Sequence, residues 1–164
     1  MITDFTNGEI KCHQSILMHV DGGCEPVNPG GTACSAWVLY GTDKKILAQE
    51  HKVVQKGEKA TNNFAEYCAL GLGLRWLDEQ KWRGELHVKA DSKLLVEQVN
   101  RRWNCKAKNL VPLRDRIFEL MQNLELKLCD PEVAEVGNFS LVWVPREQNS
   151  YADELTNIAY RDSK

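Results

Sequence analysis

The sequence of 164 residues has no long hydrophobic run, no paired-cysteine motif and no excess of positive charge, and each absence removes a class of protein. Its first strongly apolar segment, Ile16 to Val20, is far too short for a membrane span or a signal-peptide core, and no small-residue cleavage site follows it. A monomer in the cytoplasm, away from membranes, is the expectation. None of the six cysteines forms a C-x-x-C pair, and Cys24, Cys34 and Cys68 sit in patterned segments as small hydrophobes do, so they read as reduced thiols. Four histidines are too few and too scattered for a structural zinc site. A formal net charge of −2 gives no overall pull toward nucleic acid, so any such binding needs a local patch or bound metal. What is present, 43% hydrophobic and 27% charged residues, is the composition of one soluble globular domain.

From Ser15 to Asp21, alternation of Ile16, Met18 and Val20 with Leu17 and His19 predicts a strand buried largely on both faces. The stretch from Gly22 to Gly31 reads as a turn region that ends it. Thr32 to Tyr40 resumes as strand, and Gly41-Thr42-Asp43-Lys44 turns into a third, Lys45 to Val54, completing an antiparallel meander. The period then changes. Thr61 or Asn62 caps a helix running to about Gln80, with Phe64, Cys68 and Leu72, then Leu70, Leu74 and Leu77, at helical spacing. Glu85 to Ala90 is a short strand, and Asp91-Ser92 opens a helix carrying Leu95, Val99 and Trp103. A helix from Leu110 to Lys127, an acidic surface loop from Asp130 to Asn138 and a last strand from Phe139 to Val144 follow. Arg146 to Ser150 is the exit loop, and Ala152, Leu155 and Ala159 mark a closing helix. The order βββαβααβα predicts an α/β fold, a mixed sheet flanked by helices, over residues 15–164, preceded by a polar extension over 1–14.

Four acids stand in telling places. Asp21 ends the first strand before a glycine-rich stretch that lets another backbone approach, although taken alone a turn-forming Asp is the better reading. Glu66 shares a helix face with Leu70, Gly73 and Leu77, so it points along the apolar stripe and needs a partner there; a capping glutamate is the alternative. Asp91 joins a strand to a helix, the edge where open α/β sheets gather ligands, and also suits an N-cap. Asp153 lies in the first turns of the closing helix, on the polar side with Asn149, Asn157 and Tyr160, where a solvated acid is the plain reading. Two central strands ending in Asp, with Glu66 and Asp153 on helices beside them, make convergence of all four at one sheet edge the expectation. Like charges about 4 Å apart cost roughly 4 kcal/mol at an effective dielectric near 20, so such a cluster binds cations or takes up protons. Mg²⁺ favours these hard oxygen ligands.

The segments Val20-Asp21-Gly22-Gly23-Cys24, Asn28-Pro29-Gly30-Gly31, Thr61-Asn62-Asn63-Phe64-Ala65-Glu66, Ala90-Asp91-Ser92 and Ala152-Asp153-Glu154-Leu155 resemble, in order and spacing, those of type 1 ribonuclease H. The resemblance runs from about Ser15 to Tyr160. It implies a five-stranded mixed sheet, three strands antiparallel and two parallel, and a site of two Mg²⁺ ions, replaceable by Mn²⁺, at Asp21, Glu66, Asp91 and Asp153. Asp21 would bridge both ions, with Glu66 and Asp91 on one and Asp153 on the other. It implies hydrolysis of the RNA strand of RNA/DNA hybrids, leaving 5′-phosphate and 3′-hydroxyl ends. Gly22, Gly23, Cys24 and Glu66 would meet the 2′-hydroxyl, Asn28, Thr61 and Asn63 would hold the DNA strand and its phosphate, and Asn62, Ser92 and Lys93 are further substrate-binding candidates. On their own, Asn28-Pro29-Gly30 and Thr61-Asn62-Asn63 also read as a turn and a helix cap.

The chain departs from the family pattern at three points. Lys93 stands where many members have Gln, which turns a groove contact into a phosphate contact. Pro145 to Ser150 lacks the loop histidine, leaving Arg146 or Glu147 to substitute. The long basic protrusion is absent, and Arg101, Arg102, Lys106 and Lys108 form the most basic run instead, either a grip on the hybrid or a solvated helix end. Two alternatives remain: a catalytically silent nucleic-acid-binding module of the same fold, and another nuclease of the superfamily, a resolvase or exonuclease.

Overall fold

The computed structural model describes residues 1–129 and 136–164. Six strands form one sheet in the order β1-β4-β3-β2-β5-β6, with β1 Ile2–Asp4, β2 Ile16–Glu25, β3 Thr32–Tyr40, β4 Ile46–Lys56, β5 Leu86–Ala90 and β6 Phe139–Trp143. β1, β4, β3 and β2 run antiparallel, and β2, β5 and β6 parallel. The expected α/β mixed sheet is therefore present with six strands in place of five. The extra one comes from the N-terminal extension, where Ile2, Thr3 and Asp4 pair with Glu50, Gln49 and Ala48 and cover the exposed edge of β4.

β3 is buried on both faces because helices cover both sides of it. On one side Trp37 and Leu39 join Met18, Leu70 and Leu74 beneath α1 (Asn62–Glu79), which carries α3 (Val111–Asn123) on its back. Gly73 lets α1 approach closely, since a Cβ there would lie 2.8 Å from the Met18 side chain and 3.3 Å from Trp37. On the other side Ala36 and Val38 pack against Ala152 and Leu155 of α4 (Ser150–Asp162). The Trp37 indole donates to Glu50 Oε1 at 2.9 Å, satisfying two buried polar groups at once. All six cysteines are free thiols, and burial pushes those of Cys34 and Cys68 up to about 11. Among the described residues no helix is long and apolar enough to cross a membrane.

Three boundaries differ from expectation. β2 does not end at Asp21: Gly22, Gly23, Cys24 and Glu25 continue it, paired with Ser35, Cys34, Ala33 and Thr32, because glycine occupies extended backbone as readily as a turn when a partner strand supplies the ladder. α2 (Lys93–Val99) stops before Trp103, with Arg101 in the left-handed region at φ +64°, so Trp103 lies in the following loop and is 46% exposed. α3 is shorter than Leu110 to Lys127: Glu125 turns left-handed at φ +56°, and Leu128 bridges to Phe139 at the sheet edge. Of the acidic loop expected from Asp130 to Asn138, residues 130–135 lie outside the described residues.

Candidate active site

The parallel pairing of β2 with β5 ends at Val20 and Ala90, so Asp21 and Asp91 are the next residues on adjacent strands. There β5 gives way to α2, whose cap Ser92 accepts from Leu95 N–H at 3.2 Å, while β2 runs on beside β3. The sheet thus opens a notch at its switch from parallel to antiparallel, where α/β folds place ligands.

Glu66 reaches this notch from α1. Gly22 makes that possible: a Cβ on it would lie 2.4 Å from both Ala65 C and Glu66 N. Ser35, the partner of Gly22 on β3, donates its hydroxyl to Ala65 O at 2.6 Å and fixes the first turn of the helix. Thr61 caps α1, accepting from Phe64 N–H at 3.1 Å, and Asn28 Oδ1 accepts from Asn62 N–H at 3.0 Å. The cap reading of Thr61 thus describes its place in the fold, and Asn28 ties its loop to the helix start.

Carboxylate oxygens of Asp21, Glu66 and Asp91 lie within 4.8 Å of one another, and Asp21 and Glu66 are buried. Burial first, then the charges of Asp91 and Asp153, push the Asp21 carboxyl up to about 8, opposed by the Thr156 hydroxyl that donates to its Oδ2 at 3.2 Å. Burial, followed by Asp21 and Asp91, also drives Glu66 well above the usual carboxylate range, opposed by the Gly22 N–H. Glu66 Oε2 is buried without a hydrogen-bond partner. At such separations each ionised pair repels by about 3 kcal/mol at an effective dielectric near 20, so the site holds protons or cations.

Asp153 stands beside this group rather than within it. Its Oδ1 is 3.2 Å from Arg146 Nη2, an ion pair with the acid 26% exposed. Thr156 links the two, its Oγ1 lying 2.7 Å from Asp153 O and 3.2 Å from Asp21 Oδ2.

Sequence reasoning missed Asn149, placing it on a polar helix face. Arg146–Asn149 is a 3₁₀ turn that folds Asn149 inward to complete burial, and its Nδ2 donates to Val20 O at 2.7 Å and to Asp91 Oδ1 at 3.2 Å. An Asn flanking a helix start is too common to have signalled this.

Of the remaining candidates, Cys24 is buried with its thiol against Val27 O and Ala60 O, and Gly23 has open space around its Cα. Asn28, Asn62, Asn63 and Lys93 are exposed, as are Arg146 and Glu147 on the turn before α4. Lys106 and Lys108 are exposed beyond the far end of α2, apart from the carboxylates.

A sequence family described as reverse transcriptase-like matches residues 19–159. A bifunctional protein of Mycobacterium tuberculosis is 33% identical over 146 residues, 88% of this chain and 35% of the relative. Ribonuclease HI of Halobacterium salinarum is 30% identical over 141 residues, 86% of this chain and 62% of the relative. The chain thus spans about a third of the mycobacterial relative and less than two thirds of the haloarchaeal one. Among solved structures, the N-terminal RNase H domain of Rv2228c from M. tuberculosis matches with TM-score 0.75 and 31% identity, covering 91% of this chain and 95% of that one. An RNase H1 isolated from compost, in complex with an RNA/DNA hybrid, matches with TM-score 0.75 and 27% identity, covering 90% and 98%.

Proposed function

The chain belongs to the type 1 ribonuclease H family, and from that premise we propose that it is an endonuclease cutting the RNA strand of RNA/DNA hybrids at Asp21, Glu66, Asp91 and Asp153. The observation that carries this reading is the convergence of Asp21, Glu66 and Asp91 within 4.8 Å, two of them buried. Three hard oxygen donors and the partnerless Glu66 Oε2 fit a divalent cation. Asp21, Glu66 and Asp91 would hold one Mg²⁺, and Asp21 with Asp153 a second, with Mn²⁺ as a substitute. When bound, such ions supply charge neutralisation, an activated water and stabilisation of the leaving 3′ oxygen, which leaves 5′-phosphate and 3′-hydroxyl ends.

The protein's own groups prepare that chemistry. Asn149 holds the Asp91 carboxylate in place, the Thr156 hydroxyl orients Asp21, and the Gly22 N–H faces Glu66. Gly22, Gly23 and Cys24 line the approach for the 2′-hydroxyl, and Asn28, Thr61, Asn62 and Asn63 that for the DNA strand, with Ser92 and Lys93 across the notch. Arg146 stays protonated, so beside Asp153 it serves as a positive charge for a phosphate. Glu147, on the same turn, is the group there able to accept a proton.

The deciding experiment offers hybrid, double-stranded RNA and duplex DNA in parallel, with Mg²⁺ and with Mn²⁺. Cleavage confined to the RNA of the hybrid is expected, and equal cleavage of duplex DNA would overturn the reading. Lys106 and Lys108 are assigned to the hybrid's phosphates. Replacing both by Ala should weaken binding and flatten the slope of log K against log salt by about 2, and an unchanged slope removes them from the interface.

A further inference from the structure

A buried polar relay joins the helix that carries Glu66 to the basic loop between α2 and α3. Tyr67 is 1% exposed, and its hydroxyl donates to Gln98 Oε1 at 2.5 Å. Gln98, 7% exposed on α2, donates from Nε2 to Asn104 O at 3.0 Å. From α3, Arg114 Nη1 donates to the next carbonyl, Cys105 O, at 3.3 Å. Side chains from the helices on either side thus hold the loop at two successive carbonyls, while Arg101, Trp103, Lys106 and Lys108 are exposed.

A phenol in the hydrophobic core and a buried amide are costly to desolvate, and a Phe beside a Met would fill a similar volume without that cost. What the polar pair adds is a fixed address for the loop backbone, which an apolar pair does not supply. Glu66 and Tyr67 are consecutive on α1, so their side chains diverge by about 100°. One faces the carboxylates and the other faces α2, and the rigid helix between them sets the distance from acids to loop.

We infer that Tyr67 and Gln98 are positioning residues for the substrate: they hold the cationic loop in register with the carboxylate cluster, so that Lys106 and Lys108 meet the hybrid's phosphates while the scissile bond lies at Asp21 and Glu66. This rests on the hybrid-cleaving reading above.

The test is steady-state cleavage of a hybrid by Tyr67→Phe, by Gln98→Met and by their double substitution, with thermal melting alongside. Tyr67→Phe strands the Gln98 carbonyl, and KM should rise about tenfold with kcat held within about twofold. The double substitution removes both buried polar groups, so melting should return toward wild type while KM stays high, because Asn104 O has then lost its Gln98 donor outright. Recovery of KM together with stability would reduce the pair to packing and overturn the inference. In a Lys106→Ala, Lys108→Ala background, Tyr67→Phe should raise KM no further, and a full additional increase would show the relay acting elsewhere. If the lysine pair alone alters neither KM nor salt slope, the grip itself is wrong; if the lysines matter and Tyr67→Phe does not, only the relay is.

Discussion

Asp21→Asn should abolish hybrid cleavage and, without metal, make the protein more stable. The carboxylate sits at the centre of the acids and is read as the bridge between two cations, so its loss should lower the rate on the order of 10³-fold or more. The stability gain follows from its carboxyl being pushed up to about 8 by burial and by Asp91 and Asp153. In the unfolded chain the same group titrates near its ordinary value of 3.8. Below that value both states are protonated and the site imposes no penalty. Between about pH 4 and pH 8 the unfolded chain has released its proton while the folded one retains it, so metal-free stability falls as pH rises. The amide carries no such charge. At pH 7 in EDTA, Asp21→Asn should gain on the order of 4 kcal/mol, or about 8–16 °C in Tm, and its melting should depend less on pH than that of wild type. Added Mg²⁺ should close the gap by stabilising only wild type, through binding to the folded state. A variant that melts like wild type in EDTA at pH 7 would show that the acids do not strain the fold.

Much of this fold is legible in the sequence. Strand alternation at Ile16, Met18 and Val20 and the helical spacing of Leu70, Leu74 and Leu77 are burial patterns, and burial is what the sheet and α1 enforce. Glu66 on an apolar stripe was readable for the same reason. The end of β2 was not. Gly22-Gly23 carries the composition of a turn, and only pairing with Ser35 and Cys34, residues a dozen positions away, makes it strand. β1 was hidden because three residues in a polar extension carry too little periodicity to detect.

The site's supporting polar groups were the least visible. Asn149, Thr156, Tyr67 and Gln98 are all buried, yet each occurs in a segment whose local pattern is consistent with a helix face or loop. Their burial depends on what packs against them from elsewhere in the chain: Val20 and Asp91 for Asn149, Asp21 for Thr156, α2 for Tyr67. Asp153 shows the converse. The order of motifs placed it with the other acids, while geometry puts it one step outside, paired to Arg146, close enough to raise Asp21 but not to join the three.

Gly22 and Gly23 are adjacent and chemically identical, yet replacing each by Ala should have opposite consequences. A Cβ on Gly22 meets the backbone of α1 at 2.4 Å, and neither β2 nor the helix start, held by Ser35 and Thr61, has slack to yield. Overpacking against backbone should cost roughly 3 kcal/mol or more, and the helix moves off the sheet taking Glu66 with it. A shift of about 1 Å in that carboxylate is enough to lower the rate about 10²-fold. Gly23 has nothing within 4 Å of its would-be Cβ and no left-handed backbone, so Gly23→Ala should fold and melt within about 0.5 kcal/mol of wild type. The methyl group would instead stand in the notch, where the hybrid's RNA strand is read to approach, and should raise KM with the fold intact. Melting curves and single-turnover cleavage of the two variants separate the roles. Equal loss of stability in both would mean that α1 does not rest on Gly22, and the placement of Glu66 would need another cause.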